Sequence, residues 1–259
     1  MKRPLALLLA LAPLTAIADE KLVVPATQYP WSAVGRVNYG HGWCSGVLLG
    51  PKLAVTAAHC LWSHASRRQM LPEALRFVAG WDRGDFLDAS VVVGYQIAPG
   101  WRFADMEHYN AAAAANDWAL LELERPVGDQ VGWVGLGEGP AANMRVVAIG
   151  YGQDRKHVPT ADIGCHLLSK RADGGWMHDC AALHGDSGGP VLVWKDGGPL
   201  LIGIGVAAFG MSDGRTLGSA VAVTDFKAAA LAKGASRSGR PGPLAQPADP
   251  AMVGKLTGE

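Results

Sequence analysis

The sequence predicts an all-β protein of two packed β-barrels, followed by a short C-terminal helix. Three observations carry that expectation. Runs of four to eight residues rich in Val, Ile and Leu recur along the chain and end at Gly, Pro or Asp, as strands do. No long amphipathic stretch alternates with them, which argues against a parallel sheet with crossover helices. The 34 glycines and 16 prolines supply many turns, and 259 residues with 49% hydrophobic side chains suffice for a sizeable core.

The first stretch, "MKRPLALLLALAPLTAIADE", has the parts of a secretory signal. Lys2 and Arg3 form the positive start, Pro4 to Thr15 an apolar run, and Ala16, Ile17 and Ala18 a small-x-small cleavage site before Asp19. The run is shorter than the roughly 20 residues of a bilayer span. Residues 1–18 are therefore expected to be removed on export. No later stretch reads as a span, because "LLIGIGVAAFG" is broken by glycines and suits a buried strand.

The first barrel is expected within residues 19–130, with strands in "WSAVGRVNY", "CSGVLLG", "KLAVTAAH", "LRFVAGW", "ASVVVGYQIA" and "DWALLELE". Within it, "NAAAAAND" (110–117) can form one helical turn. A Gly- and Pro-rich seam, residues 124–140, leads to the second barrel, residues 131–233. Its strands fall in "MRVVAIGYG", "CHLLSK", "GPVLVW", "PLLIGIGVAAFG" and "GSAVAVT". "TDFKAAALAKG" opens with a capping Thr224 and closes at Gly234, the signature of a short helix. Residues 234–259 lack aromatics and are full of Pro, Gly, Ser and charge, so they are expected as a disordered tail.

Lys plus Arg equal Asp plus Glu at 23 each. No strong field steers this chain to nucleic acid or anionic lipid. Four cysteines in an exported chain favour two disulfides. Three pairings are open. The simplest is sequential, Cys44–Cys60 and Cys165–Cys180, each closing a loop of about 15 residues worth roughly 3 kcal/mol. No CxxC pair or zinc-finger spacing accompanies them, so no metal site is expected.

"HGDSGGPV", His184 to Val191, places a serine between glycines. A serine hydroxyl is a poor nucleophile unless a base accepts its proton and a carboxylate fixes that base. "LAVTAAHC" offers His59 after an apolar strand and two small alanines. "NDWALLEL" offers Asp117 at the start of a strongly apolar strand. "TAAHC", "NDWALL" and "GDSGGP", in that order, resemble the trypsin/chymotrypsin-like serine proteases over nearly the whole mature chain.

That resemblance implies two six-stranded antiparallel barrels with a site between them. It implies a secreted or periplasmic endopeptidase acting through an acyl-enzyme. His59 would be the base, Asp117 its orienting partner and Ser187 the nucleophile, with the Gly185 and Ser187 amides as the oxyanion hole. Ala181 would stand at the floor of the specificity pocket, and Gly205, Val206 and Ala207, with Ala208, along its wall. With no acid at the floor, a small or apolar side chain is the expected preference, with Glu the alternative. No cofactor is required. The expected partner is a protein or peptide substrate, the expected state a monomer, with no membrane contact after signal removal.

Two features depart from the family pattern. Cys180 precedes Ser187 by seven residues, an arrangement similar to the exported bacterial branch that includes the glutamyl endopeptidases. No "IVGG" follows the signal. In the family, the residue matching Asp186 pairs with an amine freed by proteolysis, so its partner here is an open question. Either a cut at Lys21–Leu22 or signal cleavage alone could supply the mature start.

Overall fold

The computed structural model describes residues 21–195, 198–212 and 216–257, so the expected signal peptide lies outside the described residues. The first barrel consists of β1 (Val34–Tyr39), β2 (Gly42–Gly50), β3 (Leu53–Thr56), β4 (Leu75–Ala79), β5 (Asp88–Ile97) and β6 (Ala119–Leu123). They close in the order β1-β2-β3-β6-β5-β4, every seam antiparallel. Closure leaves no strand edge unpaired.

The second barrel consists of β7 (Arg145–Gly150), β8 (Thr160–Lys170), β9 (Trp176–His178), β10 (Pro190–Lys195), β11 (Gly198–Gly210) and β12 (Thr216–Ala222). Its order is β8-β7-β10-β11-β12-β9, and β9 returns to β8. The twofold period of strands fills both interiors. In β4, Leu75 and Phe77 are buried while Arg76 between them is exposed. The expectation of two six-stranded antiparallel barrels is met.

Both expected disulfides are formed, Cys44–Cys60 and Cys165–Cys180. The alanine run gives a helical turn, Ala111–Ala114, and the expected C-terminal helix runs Lys227–Ala232. Thr224 does not cap that helix, because a 3-10 turn, Val223–Asp225, precedes it and Phe226 takes the cap position. Among the described residues no helix is long and apolar enough to cross a membrane.

The chain ends depart from expectation. Leu22–Val23 does not join the first barrel but pairs with Thr160 and Ala161 on β8 of the second. The stretch expected as a disordered tail is instead fastened to the first barrel and to the segments that flank it. Ser236 N donates to Leu49 O, Trp133 and Gly132 pair with Arg240 and Pro241, and Gln246 exchanges backbone hydrogen bonds with Thr27 and Tyr29. A last helix, Pro250–Thr257, follows, and Arg145 donates to the Lys255 carbonyl. Polar composition denies this segment a core of its own. It finds backbone partners mainly on the segment before β1 and on the linker between the barrels, and Arg240 adds a cation–π contact 4.4 Å from the Trp133 ring centre.

Candidate active site

His59 sits in a 3-10 turn, Ala58–Leu61, just past the end of β3. Ala57 and Ala58 are fully buried, which brings this turn close to the barrel wall, and the Cys44–Cys60 disulfide ties the next residue to β2. Asp117 lies two residues before β6, the neighbour of β3 in the barrel, so strand pairing sets the two side chains face to face. The Asp117 side chain is completely buried. Its Oδ1 accepts the His59 backbone amide at 2.8 Å, and its Oδ2 lies 2.5 Å from His59 Nδ1. A carboxylate can only accept here, so Nδ1 carries the proton and Nε2 is left as the basic nitrogen.

The serine loop comes from the second barrel, between β9 and β10. Three glycines in it have no room for a side chain, and two of these, Gly185 and Gly188, also take positive φ. Gly185 has φ +94°, and a Cβ there would meet Tyr151 O at 2.4 Å. Gly188 has φ +80°, and its Cβ would lie 2.3 Å from Ser45 O and 2.7 Å from Ala57 N, both backbone atoms of the first barrel. Absence of side chains there lets the loop press into the opposite barrel.

Ser45 of β2 grips this loop from the first barrel. Its amide donates to Ser187 O at 2.8 Å and its hydroxyl to Gly185 O at 2.7 Å. The same hydroxyl accepts the Tyr151 amide, and Thr56 Oγ1 donates to Ser45 O. The carbonyls of His184 and Asp186 are held by the Gln153 and Gly189 amides, both at 2.8 Å. A trans peptide points its N–H away from its C=O. Fixing those two carbonyls therefore aims the Gly185 and Ser187 N–H groups away from them. Among the described residues neither amide has an acceptor.

Ser187 is half-buried and its carbonyl is 3.9 Å from Cys60 Sγ, the residue after His59. The loop thus meets the histidine turn, yet among the described residues no hydrogen bond joins Ser187 Oγ to His59. Such bonds commonly tighten only with substrate in place. Gly205 clamps the loop from β11, accepting the Gly188 amide at 2.7 Å and donating to Gly189 O at 2.9 Å. A bulge at Val206 breaks the β11–β12 register between Gly205 and Ala207. Ala181 is exposed, with its amide bound to Asp162 Oδ2 at 2.7 Å.

The sequence model of the trypsin family matches residues 22–230. The chain belongs to the trypsin family. It is 28% identical over 118 residues to a glutamyl endopeptidase of Bacillus licheniformis, an alignment covering 45% of this chain and 34% of that protein. The chain thus spans about a third of that relative's length. The solved structure of a Glu endopeptidase in complex with MPD superposes with a TM-score of 0.66 at 17% identity, covering 82% of this chain and 97% of that one. That likeness shows the same fold.

Two groups at this trypsin-family site escape a reading of the sequence. The Tyr109 hydroxyl donates to Asp117 Oδ2, and its ring meets His59 edge-on with centres 5.6 Å apart. The Lys21 ammonium pairs with Asp186. Neither residue lies in a motif, and only the folded backbone brings them in. The two groups of His, Cys and acidic side chains near enough to share an ion, among the described residues, both contain the paired sulfurs of a disulfide.

Proposed function

We propose that this protein is a secreted serine endopeptidase. The observation that carries the reading is the buried Asp117–His59 pair facing a serine loop whose Gly185 and Ser187 amides have no acceptor among the described residues. Ser187 Oγ attacks the peptide carbonyl carbon as His59 Nε2 takes its proton. The oxygen gains negative charge and is held by the Gly185 and Ser187 amides, and one such donor is worth about 3 kcal/mol in the transition state. Asp117 stabilises the imidazolium and keeps its tautomer. The imidazolium then protonates the leaving amine, an ester forms on Ser187, and water activated by His59 hydrolyses it.

Closure of all four cysteines into disulfides supports an oxidising compartment, extracellular or periplasmic. Substrates are proteins or peptides. The positions taken for the specificity pocket, Ala181 and Gly205 to Ala208, carry no charge, which favours a small or apolar residue before the cut. Similarity to a glutamyl endopeptidase favours Glu as the second reading. Cleavage of a peptide library separates the two.

The exported, processed protein should cleave casein and take up a fluorophosphonate on Ser187. Ser187→Ala should lose both while keeping its melting profile. A processed, folded sample that neither cleaves nor labels overturns the reading.

A further inference from the structure

Asp186 lies between the Gly185 and Ser187 amides, which have no acceptor among the described residues, and its side chain is gripped from the other end of the chain. Lys21 is buried, its side chain 4% exposed, and its Nζ pairs with Asp186 Oδ2. Removing one partner of a buried ion pair leaves an uncompensated charge, which destabilises strongly. We propose that Lys21 is a positioning residue: its side-chain ammonium, carried on the N-terminal strand, holds Asp186 and through it the peptide planes of Gly185, Asp186 and Ser187. This rests on the reading of Ser187 as nucleophile.

Register, not the position of the chain's start, sets where Lys21 lies. Leu22 and Val23 pair with Ala161 and Thr160, and the Val24 amide donates to Pro159 O at 3.1 Å. At the other end, backbone walls the carboxylate in. A Cβ on Gly150 would lie 2.4 Å from Asp186 Oδ1, and that oxygen has no hydrogen-bond partner among the described residues. Oδ2 accepts the Leu183 amide at 2.9 Å in addition to the Lys21 ammonium. Burial pushes the Asp186 carboxyl above its ordinary range, and Lys21, then the Leu183 amide, draw it back. Without the ammonium the carboxylate takes a proton or swings toward water. Either change loosens the peptide plane that aims the Ser187 amide.

A side-chain cation has a consequence for maturation. Any cut upstream of Lys21 leaves the clamp whole, so signal removal alone completes the site. A cut at Lys21–Leu22 would discard it.

The test uses the exported protein. Mass measurement of active wild-type protein should find Lys21 retained, and an active form beginning at Leu22 overturns the proposal. Lys21→Met should keep its circular dichroism spectrum but acylate with fluorophosphonate at least 100-fold more slowly. Added propylammonium should partly restore Lys21→Ala, whereas propanol of the same shape should not. Acylation of Lys21→Met at the wild-type rate, or equal rescue by propanol, overturns the role of the charge. Wild-type protein that does not acylate overturns the nucleophile assignment instead, so the two failures are distinguishable.

Discussion

The Tyr109 hydroxyl donates to Asp117 Oδ2 across 2.6 Å. Asp117 thereby receives three donors, since His59 contributes its backbone amide and Nδ1. Burial above all, then the adjacent carboxylate, push the Tyr109 phenol far above its ordinary range, so it stays protonated and donating. Tyr109→Phe removes one bond to a charged acceptor, worth about 1.5–3 kcal/mol. The acylation rate should fall roughly tenfold to a hundredfold with KM little changed, by stopped-flow on an ester substrate. An unaltered rate would reduce Tyr109 to packing against His59.

Gly188 carries the contact between barrels at its tightest. Alanine there combines a positive φ with a clash against Ser45 O and Ala57 N. Strain of about 1–3 kcal/mol from the backbone alone should appear as a lower melting temperature. Activity should fall further than stability, because the loop must back away from the histidine turn. Calorimetry with active-site titration separates the two effects, and an alanine variant with a full titre contradicts this account.

The Cys44–Cys60 disulfide should matter to rate as well as to stability. It closes a loop of 16 residues ending beside His59, and removing it should cost about 3 kcal/mol in denaturant titration. A Cys44→Ser, Cys60→Ser protein should acylate more slowly under conditions where it is still folded. Replacing Cys165 and Cys180 should reduce stability with a smaller effect on rate.

His178 predicts an acid limb in stability. The ring is buried on β9 against Gly218, where a Cβ would fall 1.9 Å from its Cε1. Burial, the main cause, lowers its pKa from 6.5 to about 4. Between those values the unfolded chain binds a proton that the folded chain refuses. The stability present above pH 6.5 is therefore lost as the pH falls to 4, by about 3 kcal/mol in all. His178→Leu should flatten that limb in urea titrations at pH 7.5 and 4.5. Equal slopes in both proteins would show that His178 is not its source.

Local signals carried most of the fold and the centre of the site into the sequence. The serine loop is legible because a sharp turn against a neighbouring backbone leaves room only for glycine, so Gly185 and Gly188 write the geometry into the chain. His59 and Asp117 are legible from the small and apolar residues around them. Lys21 and Tyr109 are not, since an ordinary lysine at a strand start and a tyrosine in a loop have no local mark. Their importance comes from what pairs with them in space, 165 residues away for Lys21. Tail residues 236–246 mislead for the same reason, because composition reports what a segment can bury and not which backbone elsewhere in the chain will pair with it.

The crossed ends also impose an order on assembly. Residues 22 and 23 cannot find their strand until residues 160 and 161 exist, and Leu49 waits for Ser236. The first half therefore does not reach its final form during its own synthesis. Cleaving power should arise only after the second half, with Ser187, has been made and has paired with the first.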